Sequence, residues 1–515
     1  MRTGRRPPLG ALWGLLLLLL PLLLLPLVPE AAFARPGGGE SYSGGGDSGG
    51  GGGGDSGLIW LLVELWFRFV FRYPLVGIPL TLLIIVFFVR ARKSGALNRQ
   101  NWDTGPPPRR ATPPPVPPSR NLEAIRALDP DFSTILFEDF VYTLYARAHR
   151  SRTDPRALES LTPYLSEGVR AQLAQQPPPG VPVTAVVIGA LRVLGVRTPG
   201  AGEAAGPAQT PSLVRVSLEI EANLTTGQVG SEQTWYVVER WHLIRAAGAR
   251  TRPPEQVRSL HCPNCGAPFL PGTDPNRCSY CGEVVTGGRF DWTVETLEAV
   301  RRESRPPALT GTVEEVGTGW PTTFHPELTA RRAALLADDP ASTDDALAAR
   351  VRLIYDQLNA AWTTMELAPI RPYVSDELFD YLQYWIDSYR RQGLRNVLEG
   401  MRLTELKLVK VRRDRWYDAV TFRIWGTGRD STVRVATGDM VGGNPRTDRY
   451  YSEYWTFIRG AGVKGAPHAD KSCPNCAAPL ETNMAGECNY CGAKVTSGQF
   501  DWVLSRIEQD EAYTG

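Results

Sequence analysis

The eight cysteines of this 515-residue chain fall into two clusters of one design. Cys262-Pro-Asn-Cys265 is followed by Cys278-Ser-Tyr-Cys281, and Cys473-Pro-Asn-Cys476 by Cys488-Asn-Tyr-Cys491; no cysteine lies outside them. A C-x-x-C turn places two sulfurs on one side of a tight loop, where both can reach one ion at about 2.3 Å. A second hook completes the tetrahedron that zinc prefers in closed structural sites. Small residues follow the hooks (Gly266 and Ala267, Ala477 and Ala478, Gly282, Gly492), and glycine there relieves backbone crowded around metal-bound sulfur. A redox C-x-x-C does not normally recur as two hooks repeated twice, and disulfides need an oxidising compartment, against which the N-terminal segment argues. The expectation is two structural zinc ions, one per cluster. Four thiolates leave no open position for water or substrate, so each ion is expected to stabilise folding, by an apparent binding energy on the order of 10 kcal/mol per site.

Other chemistry-bearing residues are sparse. The histidines are His149, His242, His261, His325 and His468, and none has a companion at catalytic or metal-ligating spacing. Glu239 and Arg245 recur as Glu453 and Arg459. Six residues apart on one expected strand, they share a face about 20 Å apart, too far to act on one small substrate; a structural role such as cross-strand pairing is expected. Trp241 and Trp455 are expected on the opposite face, in the core. There is no G-x-S-x-G, no phosphate-cradling G-K-[ST] loop and no dinucleotide fingerprint, so catalysis is not expected. The net charge of +2 gives no basic excess, and the ribbon loops offer only Arg277, Arg289, Lys471 and Lys494, too few for a phosphate track. Nucleic acid is therefore an unlikely partner.

The elements that must carry these residues occur twice. Leu161-Thr-Pro-Tyr-Leu-Ser166-Glu matches Ile370-Arg-Pro-Tyr-Val-Ser375-Asp, Glu239-Arg-Trp-His-Leu-Ile-Arg245 matches Glu453-Tyr-Trp-Thr-Phe-Ile-Arg459, and each cysteine cluster is followed by Phe-Asp-Trp at 290–292 and 500–502. In the second copy Ser342 or Thr343 can cap a helix with an apolar stripe of Leu347, Val351, Ile354, Leu358 and Trp362. Pro372 breaks it, and Ser375 caps a second helix whose first turn holds Asp376 and Glu377. Strand patterns follow around Leu406–Val411, Val420–Ile424, Val433–Val435 and Tyr454–Ile458, with turns expected at Gly426-Thr-Gly428 and Gly442-Gly-Asn-Pro. The first copy repeats the order with strands Val186–Val196, Val214–Leu224 and Trp235–Ile244. It departs at Asp154-Pro155 and in a Gly/Ala/Pro insert at 198–211. A short terminal helix is expected after each Phe-Asp-Trp. Helices first and an antiparallel meander after them give an α+β class, with helices packed over a curved sheet.

With its Pro-Tyr-x-Ser-[Glu/Asp] step and its closing Glu-x-Trp-x-[Phe/Leu]-x-Arg strand, this unit resembles the TIM forty-four-like domain over about residues 121–250 and 341–465. The resemblance implies a nuclear-transport-factor-two-like cone with a hydrophobic pocket, binding activity at membranes and no catalysis. The repetition and the zinc ribbons depart from the family pattern, and the mitochondrial role of its namesake does not transfer.

The N-terminal layout points to a membrane. Arg2, Arg5 and Arg6 precede a leucine block from Leu15 to Leu27 and a small-x-small site at Ala32-Phe-Ala34, which reads as a secretory signal. Residues 37–57 are almost only Gly, Ser and Asp, a flexible tether. From Leu58 an aromatic segment with Glu64, Arg68 and Arg72 on one stripe suits the headgroup region. The uncharged stretch Tyr73–Val89 spans about 26 Å as a helix, at the short end for crossing a bilayer. Arg90, Arg92 and Lys93 place its C-terminal end in the cytoplasm, whether the leader is cleaved and leaves a single pass or is retained and forms an N-terminal hairpin with the Gly-rich loop outside.

The expected organisation is a signal sequence at 1–34, a Gly-rich linker at 35–57, an amphipathic plus transmembrane helix at 58–93 and a Pro-rich linker at 94–120. The first TIM forty-four-like domain follows at 121–255, then zinc ribbon 1 and a helix at 256–305 and a linker at 306–340. The second domain occupies 341–468, and zinc ribbon 2 with a helix 469–515. The expected function is a scaffold at a bacterial inner membrane, its domains facing the cytoplasm and holding a protein partner or an apolar ligand. Two alternatives stay open: a ribosome- or nucleic-acid-associated tether acting through the ribbons, and a hydrolase.

Overall fold

The computed structural model describes residues 122–199, 212–228, 231–269, 274–304, 317–468, 471–510, 512, 513 and 515, together with Tyr73. The expected signal sequence, Gly-rich linker and Pro-rich linker lie outside these residues, as does the membrane helix apart from Tyr73. Among the described residues no helix is long and apolar enough to cross a membrane.

The first domain runs α1 (Thr134–Ser151), α2 (Pro155–Glu159), α3 (Glu167–Gln175), β1 (Val183–Arg197), β2 (Leu213–Thr226), β3 (Gln233–Ala246), α4 (Pro254–Ser259) and β4 (Thr293–Ser304). The second runs α5 (Leu328–Asp338), α6 (Asp344–Thr364), α7 (Asp376–Arg391), β5 (Leu394–Arg413), β6 (Tyr417–Arg434), β7 (Met440–Gly460) and β8 (Val503–Gln509). Each domain holds a four-stranded antiparallel sheet in sequential order, β1-β2-β3-β4 and β5-β6-β7-β8.

The main helices start where side-chain oxygens can accept otherwise orphaned amides. Ser133, Ser166, Thr343 and Ser375 accept from Leu136, Val169, Ala346 and Leu378. Asp154 caps α2, whose first residue is Pro155, so the expected interruption is a second short helix. The stripe Leu347, Val351, Ile354, Leu358, Trp362 is buried against the second sheet, and Leu378, Leu382, Trp385 and Tyr389 join it in one core. In the first domain Val141, Leu144, Tyr145 and Ala148 of α1 pack on Leu218, Ile220, Trp241 and Leu243.

Four expectations are corrected. Residues 293–304 and 503–509 are strands, not terminal helices: β4 pairs with β3 and β8 with β7, because the open edge of the third strand offers a ladder that a helix would leave unpaired. Each ribbon is thus inserted between the third and fourth strands of its sheet. Gly426-Thr-Gly428 lies inside β6, which continues through both expected strands, and Gly442-Gly-Asn-Pro lies inside β7. Gly426 and Gly428 provide room instead of a turn. A Cβ on Gly426 would run into the ring of Tyr451, and one on Gly428 into Met401. The stretch expected as a linker at 306–340 carries α5. Finally, Trp241 and Trp455 share a face with Glu239 and Glu453, as spacing by two on a strand requires; each indole donates to the carboxylate two residues before it, at 3.0 and 2.8 Å.

The two domains pack on each other. Ile135 and Leu136 of α1 are buried with Tyr417, Ala419, Ile458 and Val503 of the second sheet. Around them Glu123 pairs with Arg331 and Arg412 at 2.9 and 3.6 Å, Asp131 with Arg415 at 2.8 Å, and Glu138 with Arg506.

Candidate metal centres and domain interiors

In each ribbon the four sulfurs lie within 4.8 Å of one another. Cys262 and Cys281 are 3.9 Å apart and Cys265 and Cys278 3.7 Å; Cys473 and Cys491 are 3.9 Å apart and Cys476 and Cys488 4.0 Å. A zinc tetrathiolate with bonds of about 2.3 Å has sulfur–sulfur edges of about 3.8 Å. The eight predicted ligands are therefore brought together in two clusters, each able to hold a metal ion such as zinc.

The surroundings of the sulfurs fit the same group. The Asn of each Cys-Pro-Asn-Cys hook donates its side-chain amide to the last cysteine of the cluster, Asn264 to Cys281 and Asn475 to Cys491, both at 3.4 Å. Together with the backbone amides of Glu283 and Ala493, these donors hold Cys281 and Cys491 at about 6, below the ordinary thiol value. Donors aimed at a ligand sulfur stabilise the thiolate a metal needs. Gly266, Gly282 and Gly492 adopt φ values of 78°, 70° and 71°, and Ala477 takes the place of Gly266 in the second ribbon with φ 59°.

The repeated Phe-Asp-Trp ties ribbon to sheet, one residue at a time. Phe290 and Phe500 pack on the buried cysteines of their own ribbons. Asp291 pairs with Arg252, and Asp501 with Arg350 at 3.2 Å. Trp292 and Trp502 enter the domain cores, where Arg245 and Arg459 stack on them at 4.7 and 4.5 Å. The same arginines donate to Asp129 at 3.0 Å and to Asp339 at 2.7 Å. The repeated arginine thus has a structural role, but its partner is an aspartate preceding the first long helix instead of a cross-strand neighbour.

The ribbon cations are largely engaged at home. Arg277 donates to the carbonyl of Gly282, Arg289 pairs with Glu283 at 3.3 Å, and Lys494 pairs with Asp376 at 2.7 Å.

The interiors of the two domains differ. In the first, the buried Glu239 carboxylate accepts from His149 Nε2 at 3.1 Å, Trp241 Nε1 at 3.0 Å and Gln176 Nε2 at 2.8 Å. Burial pushes this carboxyl up, but the His149 ring and the three donors outweigh it and leave it below its usual value. Burial and the Glu239 carboxylate hold the Tyr145 phenol well above its ordinary range. His149 had no sequence companion because its partner lies on β3, far along the chain; only its place one turn after Tyr145 on the buried face of α1 hinted at it.

In the second domain, positions equally far from the helix N-caps carry Tyr355, Asn359, Trp362 and Trp385 where the first has Tyr145, His149, Arg152 and Gln176. Trp362 donates to Asn396 at 2.9 Å, Tyr355 shares a hydrogen bond with Tyr451 at 2.6 Å, and Glu453 accepts from Gln509 at 3.2 Å. Here the space under the sheet is packed with aromatic rings. A cavity of about 500 Å³ lies elsewhere, between the end of β3 and ribbon 1, lined by Ala247, Arg250, Arg252, Pro263, Arg289 and Phe290.

Residues 331–468 match the family model of the Tim44-like domain. The match covers α6, α7 and β5–β7 and stops before ribbon 2 and β8; the first domain, with the same strand order, lies outside it. No curated protein matches the chain.

Proposed function

We propose that this chain is a membrane-anchored scaffold of the Tim44-like type, which holds a protein partner or an apolar ligand at a bacterial inner membrane on its cytoplasmic side. The observation that carries the reading is the Tim44-like match at 331–468, a domain type associated with binding at membranes. The leader, the apolar segment at 58–89 and the basic residues Arg90, Arg92 and Lys93 that follow it supply the anchor and its orientation. The ribbons serve as zinc-held supports. Their sulfurs are spent on a closed tetrahedron, the tryptophans of their Phe-Asp-Trp segments enter the domain cores, and most of their cations are paired within the chain. Binding therefore belongs to the α+β domains, and no catalytic step is assigned to any residue.

Crosslinking of the full-length chain in intact cells, followed by membrane fractionation, tests this. One or a few discrete adducts in the membrane fraction, lost when residues 58–93 are deleted, are expected. Adducts spread over abundant soluble proteins, or a chain that fractionates with the soluble proteins, would contradict it.

A further inference from the structure

The polar groups inside the first domain do not balance. Arg152 is buried and uses one nitrogen, Nη2, on the carbonyls of Pro178 and Val181 at 3.4 Å each. Its Nε and Nη1 are buried with no hydrogen-bond partner among the described residues, and so are Nε and Nη2 of Arg302, Nδ1 of His149 and Oε1 of Gln176. Arg302 lies on β4 with its guanidinium 4.7 Å from the Trp235 ring. Arg152 holds the Pro178 and Val181 carbonyls, Pro182 accepts from the Gly227 amide, and Trp235, under the Arg302 guanidinium, donates to Thr226 at 3.0 Å, so both guanidiniums lie at one end of the first domain. Burial first, then the charge of Arg302, lowers Arg152 to about 10. The charge of Glu239 reaches both, but this carboxylate already accepts three hydrogen bonds.

The surplus is one of donors and positive charge. Buried donors without acceptors destabilise a fold, and two like charges in a shielded site destabilise it further. A planar guanidinium presents parallel N–H groups at the spacing of two oxyanion oxygens. The second domain carries different residues at these positions. Asn359, Trp362 and Trp385 stand in place of His149, Arg152 and Gln176, and β8 ends at Gln509, so no strand residue stands in place of Arg302; Asn359 donates to the carbonyl of Tyr355 at 2.9 Å and Trp362 to Asn396.

We propose that the interior of the first domain, between Arg152 and Arg302, is a binding site for a small oxyanion of the phosphate or carboxylate type. Both guanidiniums donate to the anion, and Glu239 fixes His149 and Gln176 beside it. Half-exposed Arg302, near the end of an edge strand, forms the entrance. This goes beyond the scaffold reading and does not depend on it, because the site lies outside the residues that match the Tim44-like domain.

Titration calorimetry and thermal denaturation of the full-length chain test the site, with inorganic phosphate, glycerol phosphate and acetate as probes against chloride at equal ionic strength. At least one probe is expected to bind saturably and raise the melting temperature, with affinity reduced at least tenfold in R152Q and in R302Q. Tighter glycerol phosphate would mark a headgroup and tighter inorganic phosphate a free ion; either supports the site. No saturable binding by any probe at tens of millimolar, or unchanged affinity in R302Q, would overturn it. R302Q keeps the test decisive if R152Q fails to fold, since the Arg302 side chain is half-exposed and its Nε and Nη2 make no hydrogen bond among the described residues.

Discussion

Arg459 reaches back across the second domain to Asp339, with Nη2 2.7 Å from Oδ2, while its guanidinium lies 4.5 Å from the Trp502 ring. Both side chains are almost fully buried. One arginine thereby joins the loop before α6, the end of β7 and the last residue of Phe-Asp-Trp, and Arg245 does the same with Asp129 and Trp292. Removing one member of a buried pair leaves the other charge uncompensated, which typically costs about 3–5 kcal/mol. R459M is expected to lower the denaturant-unfolding free energy of the second domain by that amount, and R459K by less, because a lysine keeps the charge but loses the planar stack. Equal stability of wild type and R459M would show that the clamp is not structural.

Zinc content follows from the sulfur geometry. The purified full-length chain is expected to carry two zinc ions, and a strong chelator should remove both with a large fall in melting temperature, since Trp292 and Trp502 couple each ribbon to a domain core. Elemental analysis before and after chelation, with a melting curve on each sample, checks this; well under two ions per chain would contradict it.

The ribbons should also differ in strain. Ala477 sits at φ 59° where the first ribbon has Gly266 at φ 78°, and a side chain in the left-handed region costs about 1 kcal/mol. A477G is expected to raise the zinc affinity of ribbon 2 by about fivefold, and G266A to lower that of ribbon 1 by a similar factor. Competition with a chromophoric chelator measures both.

The contact between the domains should be acid-sensitive through Glu123. Burial pushes this carboxyl up, but the hydrogen bond from Arg331 and the charges of Arg412 and Arg126 bring it down to about 2. A carboxyl depressed on folding contributes stability that is present above its unfolded value of about 4.3 and lost as the pH falls towards the folded value. The stability difference between wild type and E123Q is expected to reach up to about 3 kcal/mol above pH 5 and to shrink between pH 4.5 and 2. Denaturant titrations across that range check it, and a pH-independent difference would contradict it.

Several features were legible in the sequence for local reasons. Ser375, and Ser342 or Thr343, announce helix starts because a cap needs only the next three residues, with Thr343 the cap that forms, and the stripe from Leu347 to Trp362 is buried as its period requires. The ligand set was legible because C-x-x-C hooks are local and their pairing is limited by reach. What was misread depends on distant partners. Leu297 and Val300, three apart, suit a helix as well as a strand, and only the free edge of β3 decides. Gly426 looks like a turn residue until Tyr451 is placed opposite it. His149 meets Glu239, and Arg459 meets Asp339, across separations at which no spacing rule operates.

The central claim, that binding belongs to the α+β domains and the ribbons are supports, is tested most directly by site-specific photo-crosslinking in intact cells. A photoreactive residue would replace Tyr450, exposed on β7, or Tyr490, exposed in ribbon 2. A discrete membrane-fraction adduct from position 450 and none from position 490 is predicted. A discrete adduct from position 490 alone would contradict the account.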